Sequence, residues 1–311
     1  MRTGAALSDL AERATGSVLG LALGDALGAP FEFRRAHQIP DPLPAFELPW
    51  GERPPGTTTD DTAMARNLLR SLVERGGFDP DDLVARHLEW FRSDPPDVGT
   101  RTRRVLRRVE EGQSAEEAAR TEWELRGPEV SAGNGSVMYC APLGVAYAGR
   151  PEALFDLAPR LSALTHFDER CRSAVLAVSL AVAALTRGEP SEEAVRDALA
   201  AVQDREGGEE LEFLVEKAGR ARPVDGPDQG FCLFTAALGL QAASSALGFE
   251  AELRRIVGLG GDTDTNAAVA GALLGARLGR NALPDPWLDR LVDGAELERE
   301  AEELAELTER L

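Results

Sequence analysis

The chain has 311 residues and is 43% hydrophobic, long enough to bury a large core and too apolar for a disordered chain. Its 53 acidic residues outnumber 34 basic ones, giving a net charge of -19, and Lys217 is the sole lysine. That balance excludes a basic nucleic-acid footprint and disfavours anionic membranes, while an anionic substrate would need positive charge inside the site itself.

No apolar run reaches the roughly 18 residues that a membrane span needs. The N-terminus lacks the progression of a secretory signal. Cys140, Cys171 and Cys232 are widely spaced and odd in number, so they form neither a disulfide framework nor a zinc spacing. The expected setting is the reducing cytoplasm.

In chain order the patterns are helical almost throughout. Residues 9–28 place Leu10, Val18, Leu19, Ala22, Leu23 and Ala26 near a helical period. Gly16, Gly20, Gly24 and Gly28 recur at every fourth position and leave one face bare. Glycine costs about 1 kcal/mol in a helix interior, so the stripe predicts close approach by another backbone. Residues 34–56 are rich in proline (Pro40, Pro42, Pro44, Pro49, Pro54, Pro55) and read as a long loop feeding the first acidic motif. That motif is Gly56-Thr57-Thr58-Thr59-Asp60-Asp61-Thr62, entering a helix over 62–75. Thr59 and the two acids could simply cap that helix and offset its dipole. A cap needs only one such residue, and adjacent carboxylates repel unless a cation lies between them.

Helical periods continue over 80–92, 100–111, 114–124, 136–147, 151–164, 168–187 and 191–203. Others cover 209–219, 231–247, 250–257, 265–279 and 286–310. Gly133-Asn134-Gly135-Ser136-Val137-Met138 opens the helix expected at 136. It is not a dinucleotide fingerprint, since no strand precedes it and Met138 holds the last glycine position. It reads either as an ordinary turn or as a nest of N–H groups for phosphate. Near the end, Gly260-Gly261-Asp262-Thr263-Asp264-Thr265-Asn266 enters a helix with Ala267, Gly271 and Gly275 on one face. An EF-hand loop is excluded, because Ala267 stands at its glycine and Leu273 at its closing Glu. Alternating β-branched runs and internal repeats are missing, so one compact all-α domain over residues 1–311 is expected.

The two acidic motifs together offer the carboxylates of Asp60, Asp61, Asp262 and Asp264 and the hydroxyls of Thr59 and Thr265. Hard oxygen donors select magnesium, manganese or calcium over zinc or copper. His37, His87 and His166 are too scattered for a His-based zinc site. Two ions about 4 Å apart could share these carboxylates and activate a water.

The ordered set resembles the ADP-ribosylglycohydrolase family, which includes the dinitrogenase reductase-activating glycohydrolases. The resemblance rests on Gly24-Asp25-Ala26-Leu27-Gly28 with Glu32, on Thr59-Asp60-Asp61 and on Asp97-Val98-Gly99-Thr100-Arg101-Thr102. It continues through Gly133-Asn134-Gly135-Ser136-Val137-Met138 and Thr165-His166 to Gly261-Asp262-Thr263-Asp264-Thr265-Asn266, spanning residues 16–280. It implies an all-α multi-helix orthogonal bundle that binds two divalent cations, Mg2+ or Mn2+, through Thr59, Asp60, Asp61, Asp262, Asp264 and Thr265. It implies cleavage of the bond between C1″ of ADP-ribose and its acceptor, with Glu32, Asp60, Asp61 and Asp97 as the catalytic set.

By the same resemblance Glu32 would do acid/base work or act as a gate, and Asp97, with Gly99 in its loop, would face the guanidinium of ADP-ribosylarginine. Gly133, Asn134, Gly135 and Ser136 would cradle the pyrophosphate. His166 would sit near the phosphates or distal ribose, unless it merely caps its helix start. Phe231 would stack on adenine, unless it is a core residue. Tyr139 stands where the family often has Arg, and Asp228-Gln229-Gly230-Phe231-Cys232-Leu233 departs from the family's aromatic-aliphatic run. Those departures leave linkage preference and adenine packing open. The expected substrate is ADP-ribosylarginine on protein. ADP-ribosylserine, O-acetyl-ADP-ribose and an ADP-ribosylated nucleobase keep the same site, and a non-catalytic, crystallin-like ADP-ribose-binding protein is the reading from another class. The expected partners are an ADP-ribosylated protein or a small ADP-ribose conjugate, with no membrane, no nucleic-acid surface and a monomeric chain.

Overall fold

Helix α1 (Asp9–Gly28) starts where the Ser8 hydroxyl accepts the Ala11 N–H, and from Ala14 to Gly28 every residue is buried. A helix wrapped on all sides belongs at the centre of a bundle. In the computed structural model, which describes residues 8–127 and 130–311, fourteen further α-helices follow. They are α2 (Asp60–Arg75), α3 (Pro80–Arg92), α4 (Thr100–Glu110), α5 (Ala115–Arg126), α6 (Ala141–Ala146), α7 (Leu154–Ala163) and α8 (Glu169–Thr186). The rest are α9 (Ser191–Ala200), α10 (Gly208–Lys217), α11 (Cys232–Ala243), α12 (Phe249–Gly258), α13 (Thr263–Leu278), α14 (Asp285–Leu288) and α15 (Gly294–Arg310). The all-α expectation holds: among the described residues the sheet structure is one antiparallel pair, β1 (Arg34–Arg35) with β2 (Gly260–Gly261).

The glycine stripe of α1 meets α13 backbone to backbone. A Cβ added to Gly16, Gly20, Gly24 or Gly28 would lie 2.5, 2.2, 1.9 or 2.4 Å from the carbonyl oxygens of Gly275, Gly271, Ala267 and Thr263. The partners descend as the stripe ascends, so the two helices run antiparallel, small face on small face. Gly271 and Gly275 are bound by the same rule from the other side, at 2.0 and 1.9 Å from the carbonyls of Gly20 and Gly16. One apolar cluster runs from Ala11 to Leu307 around this pair. A small satellite of Val105, Ala118 and Ala119, with Val109 and Phe167, holds α4 to α5. Among the described residues no helix is long and apolar enough to cross a membrane.

Two helical patterns are shorter than their periods suggest. Residues 134–139 form turns and the helix expected from 136 begins only at Ala141, with Pro142 in its first turn. Proline there lacks the N–H that would bond back to Met138, so the helix can start at Pro142 but not run through it. The pattern over 286–310 divides into α14 and α15 at Asp293, whose φ is 58°. The break lets Val292 N–H donate to Gly56 O at 2.9 Å, clamping the loop that leads into the first acidic motif. The proline-rich stretch 34–56 has no α-helix, and Phe46 anchors it by packing its ring 5.3 Å from that of Trp287.

Candidate active site

Both acidic motifs sit at helix N-termini, where free N–H groups and the helix dipole favour anionic oxygens. Thr59 caps α2, its hydroxyl accepting the Asp61 N–H at 3.3 Å. Beneath it lies Asp25 of α1, fully buried, which accepts the Thr59 N–H at 3.0 Å on both oxygens and the Thr62 N–H at 3.1 Å. The Thr62 hydroxyl donates to it as well. Asp25 is thus the anchor that fixes the first motif against the central helix. The sequence pattern gives Asp25 no such role, because nothing local ties residue 25 to a helix that starts at 60.

The second motif is placed by α13, whose packing on the glycine stripe brings Asp264 against Gly28. Thr263 Oγ1 donates to Gly28 O at 2.9 Å, and Thr265 Oγ1 donates to Asp61 Oδ1 at 3.3 Å, which joins the two motifs directly. Carboxylate oxygens of Asp25, Asp61 and Asp264 all lie within 4.8 Å of one another, and so do those of Glu32, Asp262 and Asp264. Glu32 arrives through the strand pair: Phe33 N–H donates to Gly261 O at 2.7 Å, so β1 hangs the Glu32 loop beside Asp262. Gly260 and Gly261 have φ of 72° and 80°, a conformation few other residues adopt.

Asp61 Oδ2 and Asp264 Oδ1 are buried and have no hydrogen-bond partner. Orphaned anionic oxygens of this kind are costly, and a divalent cation is the partner that suits a cluster of hard oxygens. The groups that the fold brings together for such ions are Asp25, Asp61 and Asp264, and Glu32, Asp262 and Asp264; Asp60 lies in neither cluster, and its Oδ2 accepts the Gly99 N–H.

The crowding of carboxylates shows in their ionisation. Burial, then the charges of Asp262, Asp60, Asp97 and Asp25, push Glu32 up to about 8. Burial, then Asp97, pushes Asp60 up to about 7, and burial against several hydrogen bonds leaves Asp25 at about 6. Asp61 and Asp264 lie well above the ordinary carboxyl range for the same reasons, burial first. Groups raised in the fold stabilise it fully below their unfolded values and lose that contribution as pH rises through the folded ones. Without divalent ions, the melting temperature is expected to fall between about pH 5 and about pH 8, and Mg2+ or Mn2+ should restore it at the upper end. A melting temperature that rose across that interval in chelator would contradict the arrangement.

Glu32, Asp60, Asp262, Asp264 and Thr265 share a cleft of about 790 Å3 with Asp97, Gly99, Arg101, Gly133, Asn134, Gly135 and His166. Asp97 Oδ2 accepts the Asp60 N–H at 2.8 Å, and Gly99 N–H donates to Asp60 Oδ2 at 3.1 Å, so the Asp97 loop is latched to the start of α2. Asn134 Nδ2 donates to Asp262 Oδ2 at 2.9 Å and to Thr235 Oγ1 at 3.0 Å, tying the glycine turn to the second motif. His166 Nδ1 meets Thr165 Oγ1 at 3.0 Å, and a Cβ added to Gly135 would lie 3.0 Å from His166 Nε2. The ring therefore stands against the turn, and burial keeps it neutral by pulling its pKa down to about 3.

Ser136 is the departure. Its side chain is fully buried, 3.0 Å from Ser162 Oγ, and does not line the cleft. The turn's curl points the next side chain into the core. Phe231 is half-buried beside the turn, where Gly133 pairs with it as a β-bridge, and it lines a second hollow of about 450 Å3 with Ala132, Gly133 and Arg222. Tyr139 is fully buried with its ring 5.4 Å from that of His87, so it supplies no charge to the cleft. Phe33, which belongs to no sequence motif, lines the cleft at 58% exposure with φ of 60°, a strained setting for a bulky residue.

The ADP-ribosylglycohydrolase family model matches residues 6–311. Over 285 residues the chain is 31% identical to an ADP-ribosyl-[dinitrogen reductase] glycohydrolase of Rhodospirillum rubrum, covering 90% of each. It is 27% identical to an ADP-ribosylarginine hydrolase of Pseudomonas putida, covering 94% of this chain and 78% of that one. It is also 27% identical to the ADP-ribosylhydrolase ARH3 of Gallus gallus, covering 95% and 93%. A solved structure described as an ADP-ribosylglycohydrolase-related protein complex superposes with a TM-score of 0.81 at 34% identity, over 97% of this chain and all of that one.

Proposed function

The chain belongs to the ADP-ribosylglycohydrolase family and is a hydrolase that removes ADP-ribose, and we propose that it does so with two divalent cations, acting on ADP-ribosylarginine. The observation that carries the metal dependence is the pair of buried, unpartnered oxygens on Asp61 and Asp264, one from each motif. Asp97 carries the arginine preference: it is half-buried at the cleft, oriented by the Asp60 N–H, and an anionic carboxylate there suits a guanidinium. The arginine-directed relative adds to that preference without deciding it.

The chemistry follows from charge. Departure of the acceptor from C1″ leaves oxocarbenium-like positive character on the ribose, which the carboxylates gathered at the cleft floor stabilise. Bound divalent cations supply Lewis acidity toward the ribose hydroxyls and a water acidic enough to ionise near neutral pH. Glu32, beside Asp262 on the cleft, is placed to give and take a proton at Oε as the acceptor leaves. Asp25 keeps the Thr59 and Thr62 N–H groups bonded, so the first motif does not reorganise during the reaction. The Asn134 N–H is held by Gly230 O at 3.0 Å, and the Gly133–Asn134–Gly135 turn would offer its flanking N–H groups to the pyrophosphate.

The deciding experiment is a release assay with Mg2+ or Mn2+ that offers arginine-, serine- and nucleobase-linked ADP-ribose side by side. Fastest release from arginine is expected. Release from none of the three would favour a binding protein over an enzyme of this specificity. A finer test replaces Asp97 by Asn, which keeps an acceptor for the Asp60 N–H and removes the charge. Cleavage of the arginine linkage should fall on the order of 10- to 100-fold relative to the serine linkage. Parallel loss on both would show that Asp97 only holds the loop.

A further inference from the structure

One wall of the cleft is positively charged, against the grain of a chain whose net charge is -19. Helix α4 carries Arg101, Arg103, Arg104, Arg107 and Arg108, and Arg101, Arg103 and Arg104 line the cleft. Arg101 is held by backbone. Its guanidinium donates to Val130 O, and among the described residues no carboxylate lies within ion-pair distance of it. Two carboxylates attract it from further off, and each is engaged elsewhere. Asp168 is bound by Arg170 at 2.9 Å and by Trp123 Nε1 at 3.1 Å, and Glu122 is bound by Arg108 at 2.7 Å.

Arg101 is nevertheless half-buried, and burial draws its pKa below the ordinary arginine value. A charge withdrawn from water without a counter-ion is costly until a ligand completes it. The ligand's place is marked by the glycine turn. A Cβ on Gly133 would lie 4.0 Å from Arg101 Nε and 3.6 Å from His166 Nε2, so both side chains stand against the same bare backbone. His166 is neutral, and Tyr139, the residue that follows the Gly133–Met138 motif, points into the core. On the cleft side of the turn, Arg101 brings positive charge, while Arg170 and Arg222 line the hollow on its other side with Gly133 and Phe231.

We propose that Arg101 is a specificity-determining residue that supplies the positive charge the Gly133–Asn134–Gly135 turn lacks for a pyrophosphate, and thereby selects ADP-ribosyl over uncharged ribosyl groups. The proposal rests on the functional reading above for the identity of the ligand. Neutral N–H groups give a phosphate its geometry; the planar guanidinium adds a charge-assisted fork that matches two phosphate oxygens. Arg103 and Arg104 on the same wall raise the local potential and draw the anion toward a site whose floor repels it.

The test is calorimetric titration of inorganic pyrophosphate, ADP-ribose and adenosine at fixed ionic strength into the wild type, Arg101→Gln and Arg101→Lys. Arg101→Gln is expected to weaken pyrophosphate and ADP-ribose on the order of 10- to 100-fold and to leave adenosine unchanged. Arg101→Lys should recover much of the loss, and KM should rise more than kcat falls. Matching melting curves exclude misfolding as the cause. Unchanged affinity in Arg101→Gln, or an equal loss for adenosine, overturns the inference. A wild type that binds pyrophosphate through Arg101 yet releases ADP-ribose from no conjugate removes the proposed function and leaves the inference standing. Absence of affinity for both pyrophosphate and ADP-ribose removes both.

Discussion

Replacing Asp61 or Asp264 by Asn is expected to lower ADP-ribose release by at least about 10^3-fold while raising the melting temperature of the metal-free protein. The two effects share one cause. Asp61 Oδ2 and Asp264 Oδ1 are buried without partners, and each carboxyl lies among other acids. At a pH where these raised carboxyls are ionised, an amide of the same shape removes a repelled charge, which is worth on the order of 1–3 kcal/mol to the metal-free fold. The same amide is a poor donor to a divalent cation, so Mn2+ titrated into either variant should bind far more weakly than into the wild type. The stabilisation that Mn2+ confers on the wild type should then disappear. Activity that survived in both variants would defeat the two-cation reading. A metal-free variant less stable than the metal-free wild type would show that these oxygens are satisfied in some other way.

Substitution of Gly24 by Ala should be among the most destabilising single-methyl changes in the molecule. Its Cβ would lie 1.9 Å from Ala267 O and 2.4 Å from the carbonyl carbon, both backbone atoms that cannot swing aside. The helices must separate, at an expected cost of about 3–5 kcal/mol, comparable to the larger core defects. Separation also moves α13, and with it Asp262 and Asp264, away from Asp25 and Asp61. Gly24→Ala that still folds should therefore lose divalent-cation affinity as well as stability. Gly258 is the control, since a Cβ there meets nothing within 4 Å. Gly258→Ala should leave the denaturation midpoint unchanged or raise stability by up to about 1 kcal/mol. If Gly24→Ala unfolded at the same denaturant concentration as Gly258→Ala, the close approach of α1 and α13 would be wrong.

Both acidic motifs are legible in the sequence because each concentrates more oxygen than a helix cap uses, and the helical class is legible because a 3.6-residue period is a local property. The glycine stripe is legible for a related reason: four glycines at fourfold spacing carry a cost that only close packing offsets. The features that sequence patterns miss involve contacts between distant positions. Asp25 acts on Thr59 and Thr62 across 34 and 37 residues. Glu32 reaches Asp262 only because the two-residue strands β1 and β2 pair, and two residues are too few to show an alternating pattern. Ser136, adjacent to the glycine turn in the chain, faces Ser162 instead of the cleft. Arg101 lies within the Asp97–Thr102 motif without standing out from it, and an overall charge of -19 hides the basic wall that α4 builds.

The helices, the two oxygen-rich helix mouths and the bare faces on which α1 and α13 meet are all written in spacing along a single element, so the amino-acid order alone specifies them. Tertiary packing was needed to establish which side chains share the cleft, which acid anchors and which lies unpartnered, and where positive charge stands against the glycine turn. Burial and Coulomb interaction depend on distance through space, and the antiparallel seating of α13 on α1 sets those distances for residues hundreds of positions apart.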